Sequence, residues 1–126
     1  MRHVTSVILV LVGLIHLLPL SAVLGAERVE KLYGVTVGGP DLEILLRHRA
    51  VLFGLLGAFL IFAAFSRRYQ AAAFIGGLVS VISFLGLALS VGGYNTELQR
   101  VVLADWVALA LLLFGIGLRL LLERHP

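Results

Sequence analysis

The sequence predicts an all-α membrane protein, an antiparallel bundle of four transmembrane helices. Of its 126 residues, 60% are hydrophobic and only 13% are charged, against about 25% charged in ordinary soluble domains. Apolar segments of nearly the roughly 20 residues that cross a bilayer recur along the whole chain. A water-soluble core of this size could not cover them all, so we expect lipid to be their solvent. The chain length predicts a single domain over residues 1–126.

Four spans are predicted, at about 4–24, 42–65, 71–91 and 98–122. The first has a competing interpretation as a cleaved signal peptide, because Arg2 and His3 give it a short basic start and Ala26 could be a cleavage residue. Leu24 departs from the usual cleavage pattern of small residues, and the apolar run is longer than a typical signal core. These two features favour a retained helix.

The first loop predicts a short amphipathic helix at the membrane interface. In the stretch AERVEKLY, Val29, Leu32 and Tyr33 form one apolar stripe, which we expect to lie in the headgroup region. The stretch GVTVGGP then ends this helix, and Pro40 is well placed to begin the second span. Glu43 falls in the first turn of that span, where the helix dipole favours negative charge.

Arginines predict the orientation of the chain. Arg2 precedes the first span, Arg67 and Arg68 separate the second from the third, and Arg119 and Arg124 close the fourth. The opposite loops carry acidic as well as basic residues. Because short cytoplasmic loops carry an excess of Lys and Arg, both termini are predicted to be cytoplasmic.

Small residues predict which helix faces meet, because helices in lipid associate through close packing and a few polar contacts. In the third span Gly76, Ser80 and Ser83 fall within one arc of the helix. In the second span Arg47 shares a face with Gly54. An arginine on that face points into the bundle, where it requires an anionic partner.

Polar residues of three spans are predicted to lie at one depth. Counted from the nearest cytoplasmic arginine of each helix, His16, Asp105 and Ser83 all lie at roughly 21 to 22 Å. Arg47 lies closer to the outer interface. We therefore predict an Arg47–Asp105 pair with His16 beside it as a hydrogen-bond partner. Ser83 and Glu43 are further candidate members of this cluster.

Two interpretations of the predicted cluster stay open. It is either a structural contact that fixes which helices are neighbours, or the lining of a polar cavity that holds a small anionic or quinone-like ligand. No catalytic residues or metal ligands are predicted, because HExxH and paired-carboxylate patterns are absent from the sequence. His16 and His48 could ligate a haem iron from two sides. Their predicted depths, however, differ by about 7 Å.

The stretch RHRAVLFGLLGAFL, together with four spans and an amphipathic first loop, resembles the DoxX-like group of small four-helix bacterial membrane proteins. The resemblance implies an all-helical bundle in a bacterial inner membrane and suggests a quinone-linked accessory role. No catalytic residues are carried over from that group.

These observations favour a non-enzymatic binding or accessory module for a partner membrane complex or a small amphiphile. The alternatives are a proton-coupled transporter of small solutes, working as a homodimer through Asp105 or His16, and a membrane-embedded redox enzyme subunit. A formal charge of +3, scattered along the chain, does not indicate nucleic-acid binding. The absence of cysteine excludes disulfides and thiolate chemistry.

Overall fold

The structure, a computed structural model, describes residues 2–124 of the chain and the side chains of residues 3–123. It is 89% helical, with no strand in the described residues, which confirms the all-α prediction. The helices are α1 (Arg2–Leu17), α2 (Ala26–Tyr33), α3 (Pro40–Ala64), α4 (Gln70–Val91) and α5 (Thr96–Arg124). Short 3₁₀ helices cover Leu18–Leu24, after α1, and Arg67–Tyr69, before α4.

Within the described range, four helical segments are long and apolar enough to cross a membrane: His3–Leu24, Pro40–Ala64, Arg67–Val91 and Thr96–Glu123. They agree with the four predicted spans, and the second begins at Pro40. Only a third or less of each segment is buried inside the protein. Large apolar side chains of every span face outward, among them Leu14, Leu55, Val79 and Leu113. Such a surface requires an apolar solvent, as a bilayer provides.

Pro19 changes the type of helix within the first span. Proline has no amide hydrogen to donate to the preceding turn, and the α-helical part of the span ends at Leu17. The chain continues as a 3₁₀ helix to Leu24. The last buried polar residue of α1, His16, therefore lies directly before this change.

A close backbone contact joins α1 and α3. A Cβ atom added to Gly13 would lie 2.9 Å from the Gly57 carbonyl oxygen, and one added to Gly57 would lie 2.7 Å from the Gly13 carbonyl oxygen. These two glycines let the backbones approach more closely than any side chain would permit. The core of the bundle, which includes Leu9, Leu60 and Phe74, lies beside this contact.

A second, smaller cluster lies under α2. Val29 and Tyr33 of α2 are buried against Ala22 and Ala50, so most of the apolar stripe of this short helix is covered by the chain itself. Residues 92–95, which connect α4 to α5, meet the same region. We call this end of the molecule the α2 end.

Asn95 joins the segment between α4 and α5 to the end of α2. Its amide nitrogen donates to the carbonyl oxygens of Tyr33 and Gly34, each at 2.9 Å. Its side-chain oxygen accepts from the Leu98 amide at 2.8 Å and so caps the first turn of α5. Gly34 lies in the left-handed region, with φ +64°, and ends α2.

Replacing Gly57 by alanine should lower the free energy of unfolding by about 1–3 kcal/mol, because the added methyl group forces α1 and α3 apart. Gly86→Ala is the matched control, since Gly86 is also helical but has nothing within 4 Å of its Cβ position. Unfolding of both variants in mixed detergent–SDS micelles, followed by circular dichroism, measures the difference. Equal stability of the two variants would contradict the close α1–α3 contact.

Candidate functional site

His16 is buried at 1% exposure and has a hydrogen-bond partner at each ring nitrogen. Nδ1 lies 2.9 Å from the Val12 carbonyl oxygen, and Nε2 lies 3.1 Å from the Ser80 hydroxyl oxygen. Because a carbonyl oxygen can only accept, Nδ1 carries a hydrogen. In the neutral ring Nε2 then accepts from the Ser80 hydroxyl. His16 therefore joins α1 to α4.

Asp105 is buried at 6% exposure on α5. Within the described residues, no hydrogen bond and no ion pair within 4.0 Å involves its carboxylate. The opposite charge that acts on it comes from Arg49 of α3, and the Asp105 charge in turn acts on Tyr33 of α2. Isolated carboxylates are costly among apolar helices, so the position of Arg49 is important for this site.

The prediction that Arg47 pairs with Asp105 is wrong. Arg47 Nε donates to the Val23 carbonyl oxygen at 2.8 Å, and its guanidinium lies 3.9 Å from the Glu43 carboxylate, four residues earlier on α3. Val23 lies in the last turn of a 3₁₀ helix, where carbonyl oxygens lack helical partners. Arg47 satisfies one of these carbonyls. Both Arg47 and Glu43 are partly exposed, and such a pair contributes little to stability.

Ser83 does not join the cluster either. Its hydroxyl donates to the Ser80 carbonyl oxygen at 3.0 Å, within its own helix, and its side chain is exposed. Ser80, three residues earlier, bonds to His16 instead. The sequence signal for Ser80 was its place on the same small-residue arc of the third span.

Arg49, which the sequence analysis did not include in the cluster, lies at the centre of the site. Its guanidinium carbon is 4.4 Å from the ring centre of Phe53, 5.1 Å from that of Tyr33 and 5.5 Å from that of Phe84. It also donates a hydrogen bond to the Tyr33 hydroxyl oxygen. Cation–π contacts of this kind contribute about 0.5–2 kcal/mol each. Residues of α2, α3 and α4 therefore meet at one positive charge.

Phe53 separates Arg49 from His16. Its ring stacks on the imidazole, with ring centres 5.5 Å apart, while Arg49 lies over the same ring. The predicted hydrogen bond between His16 and an arginine–aspartate pair is consequently absent among the described residues. A sequence signal for this arrangement was present, because Phe53 follows Arg49 by four residues and so shares its helix face.

Tyr33 presents a hydrogen-bond donor at this site. Burial raises the pKa of the Tyr33 hydroxyl above its ordinary value, and the neighbouring Arg49 charge opposes the rise only in part. The hydroxyl is therefore neutral at physiological pH. Its oxygen accepts from Arg49, which leaves its own hydrogen available, since no acceptor for it is found in the described range.

Two apolar cavities open beside Arg49. One has a volume of about 280 Å³ and the other about 320 Å³, and both are lined by Arg49, Phe84 and Leu98. The first is completed by Tyr33, Val35, Leu42 and Leu46. The second is completed by Leu87, Ala88, Val91, Gly92, Tyr94 and Val102. Arg49 thus supplies the cationic group at the junction of two otherwise apolar spaces, which we call the Arg49 cavities.

Haem ligation by His16 and His48 stays a prediction from the sequence. Both ring nitrogens of His16 already have partners within the protein, whereas the His48 side chain is exposed. In the part of the chain that the structure describes, no group of three or more His, Cys, Asp or Glu residues could hold a metal ion. Among the side chains that line the Arg49 cavities, the hydrogen-bond donors are the Arg49 guanidinium and the hydroxyl groups of Tyr33 and Tyr94.

No protein-family model, curated protein or solved structure matches this chain. The resemblance to the DoxX-like group accordingly stays a prediction from the sequence.

Arg49→Gln should lower the free energy of unfolding by about 1–3 kcal/mol, because it removes the cation–π contacts of the guanidinium and the opposite charge that acts on the buried Asp105. Arg47→Gln removes the same charge two residues away, but at a partly exposed position, and should cost about 1 kcal/mol or less. Denaturation in mixed micelles measures both. Adding Asp105→Asn to Arg49→Gln should recover part of the loss. If the double variant is less stable than Arg49→Gln alone, the two side chains are not coupled as described.

Proposed function

We propose that this chain is a non-enzymatic membrane module that binds a neutral amphiphile with a planar, carbonyl-bearing head group of the quinone class. The observation that carries the proposal is that Arg49 lines both apolar cavities and donates a hydrogen bond to the hydroxyl of Tyr33, which lines the first of them. Binding sites of small molecules are commonly apolar, with a few polar groups that fix orientation.

The proposed membrane arrangement is an antiparallel bundle in a bacterial inner membrane, with both termini cytoplasmic and α2 near the outer interface. Two contacts support it: Ile61 of α3 lies against Gly13, and Leu20, which follows α1, lies against Gly54. Residue numbers thus rise along the first span as they fall along α3. The exposed arginine pair, Arg67 and Arg68, fits a cytoplasmic connection.

Charge favours a neutral head group over an anionic one. Asp105 already places a carboxylate in the electrostatic environment of Arg49. A second anion there would leave excess negative charge among apolar helices, which is costly. A carbonyl oxygen accepts hydrogen bonds from Arg49 and Tyr33 without that cost, because it adds no charge.

The shape of the Arg49 cavities supports a head group with an apolar tail. Phe84 and Tyr94 present aromatic side chains to a planar ring. The second cavity also borders Leu87 and Val91, which are 65% and 81% exposed on the outward surface of α4. A tail leaving this cavity therefore passes directly into the surrounding lipid, where its apolar surface stays out of contact with water.

Binding of a benzoquinone with one isoprenoid unit, followed by native mass spectrometry from a mild detergent, tests the proposal. Arg49→Gln should raise the dissociation constant about tenfold or more, since it removes a charge-assisted hydrogen bond. Tyr33→Phe should raise it by about two- to tenfold. Arg47→Gln is the matched control and should leave binding unchanged.

Lauric acid serves as the anionic comparison in the same measurement. Tighter binding of laurate than of the quinone by the wild-type protein would overturn the proposal of a neutral head group. Equal quinone affinity in Arg49→Gln and Arg47→Gln would remove the Arg49 cavities from the binding site.

One observation favours the second candidate, a proton-coupled transporter working as a homodimer. A buried carboxylate without a hydrogen bond, as found for Asp105 in the described residues, is suited to repeated gain and loss of a proton. Light scattering of the purified protein discriminates the two, because a monomer contradicts the homodimeric transporter. A role as a redox enzyme subunit and an association with a partner membrane complex stay predictions from the sequence.

A further inference from the structure

A third cavity, of about 310 Å³, lies on another side of α2 and differs in chemistry from the Arg49 cavities. Three basic side chains line it: Arg28 and Lys31 of α2 and Arg100 of α5. Ser21, in the 3₁₀ helix after α1, adds a hydroxyl, and Leu32 and Glu97 complete the lining. We call this space the basic cavity.

The three cations of the basic cavity have no partners in the described part of the chain. The ion pairs within 4.0 Å among the described residues join Arg47 to Glu43 and Arg119 to Glu123. Neither pair involves a cation of the basic cavity. Two separate helices, α2 and α5, therefore bring three positive charges together without an ion pair within 4.0 Å. Such an arrangement costs electrostatic energy unless an anion or a counterion atmosphere compensates it.

The acids near the basic cavity are oriented elsewhere. Glu97 Oε2 lies against Gly34, only 2.6 Å from the position a Cβ atom would take there. Glu30 of α2 accepts a hydrogen bond from the Val37 amide at 3.1 Å. One carboxylate in the lining against three cations leaves the cavity with a net positive charge.

We propose that the basic cavity binds the phosphate group of a membrane lipid. Two guanidinium groups can each donate paired hydrogen bonds to phosphate oxygens, while the lysine contributes a point charge and the serine a neutral donor. This proposal goes beyond the Arg49 cavities and does not depend on them, because different residues line the two sites.

The surroundings of the basic cavity favour a lipid over free phosphate. Leu18, Leu20 and Leu24 lie on the same 3₁₀ helix as Ser21, and all three are exposed. They follow α1 at the end of a membrane-spanning segment, where headgroups and acyl chains meet. A lipid could thus place its phosphate among the cations and its acyl chains against these leucines.

The test measures binding of phosphatidylglycerol to the full-length protein by native mass spectrometry, with inorganic phosphate as a competitor. Arg28→Gln combined with Arg100→Gln should raise the dissociation constant of the lipid about tenfold. Arg67→Gln combined with Arg68→Gln is the matched control, since it also removes two exposed arginines. This control should leave lipid binding unchanged.

Equal weakening in both double variants would show a general charge effect and overturn the proposal. Tighter binding of inorganic phosphate than of phosphatidylglycerol would overturn the assignment to a lipid and identify a site for free phosphate. Circular dichroism verifies that the variants fold, and the single variant Lys31→Gln provides an independent measurement if either fails. Unchanged lipid binding in Lys31→Gln and in the Arg28/Arg100 variant would also count against the site.

Discussion

The electrostatic attraction between Arg49 and Asp105 constrains the α2 end of this molecule. Asp105 is buried among apolar helices, so its charge must be compensated within the protein, and the nearby opposite charge belongs to the half-buried Arg49. Arg49 lies on α3 and Asp105 on α5. Their attraction therefore limits how far these two helices can separate or rotate, and the aromatic rings around Arg49 extend that constraint to α2 and α4.

Contacts of a different kind hold the first span in place. Gly13 and Gly57 bring two backbones together, which favours dispersion contacts along the helix faces. His16 then adds a directional bond to Ser80 on a third helix. The bundle thus combines a close backbone contact, which requires glycine at both facing positions, with a directional hydrogen bond between two helices.

Much of this fold is predictable from the sequence, because a membrane span needs a certain length of apolar residues and that length can be counted. The positions of the four spans and the burial of His16 and Asp105 follow from such counting. Counting does not show which of the two arginines, Arg47 or Arg49, lies beside Asp105. Both are long side chains near one helix end, and their partners, the Val23 carbonyl and the Tyr33 hydroxyl, come from separate segments that only the folded chain brings near.

The choice between Ser80 and Ser83 illustrates the same difference at a finer scale. Both serines lie on one arc of α4, so helical periodicity alone treats them as equivalent. Which one meets His16 depends on the crossing of α1 and α4, and the other bonds back to its own helix. A face can thus be predicted from one sequence, whereas an individual contact across two helices cannot.

Asn95 restricts one route by which a ligand of the proposed kind would reach the Arg49 cavities, the route past α2. One amide side chain fastens the end of α2 to the start of α5, so lifting α2 from the bundle requires at least two hydrogen bonds to break together. The outward side of α4, by contrast, presents only apolar side chains beside the second cavity. A ligand of the proposed kind would therefore exchange with the lipid phase through the side of the bundle more readily than with water past α2.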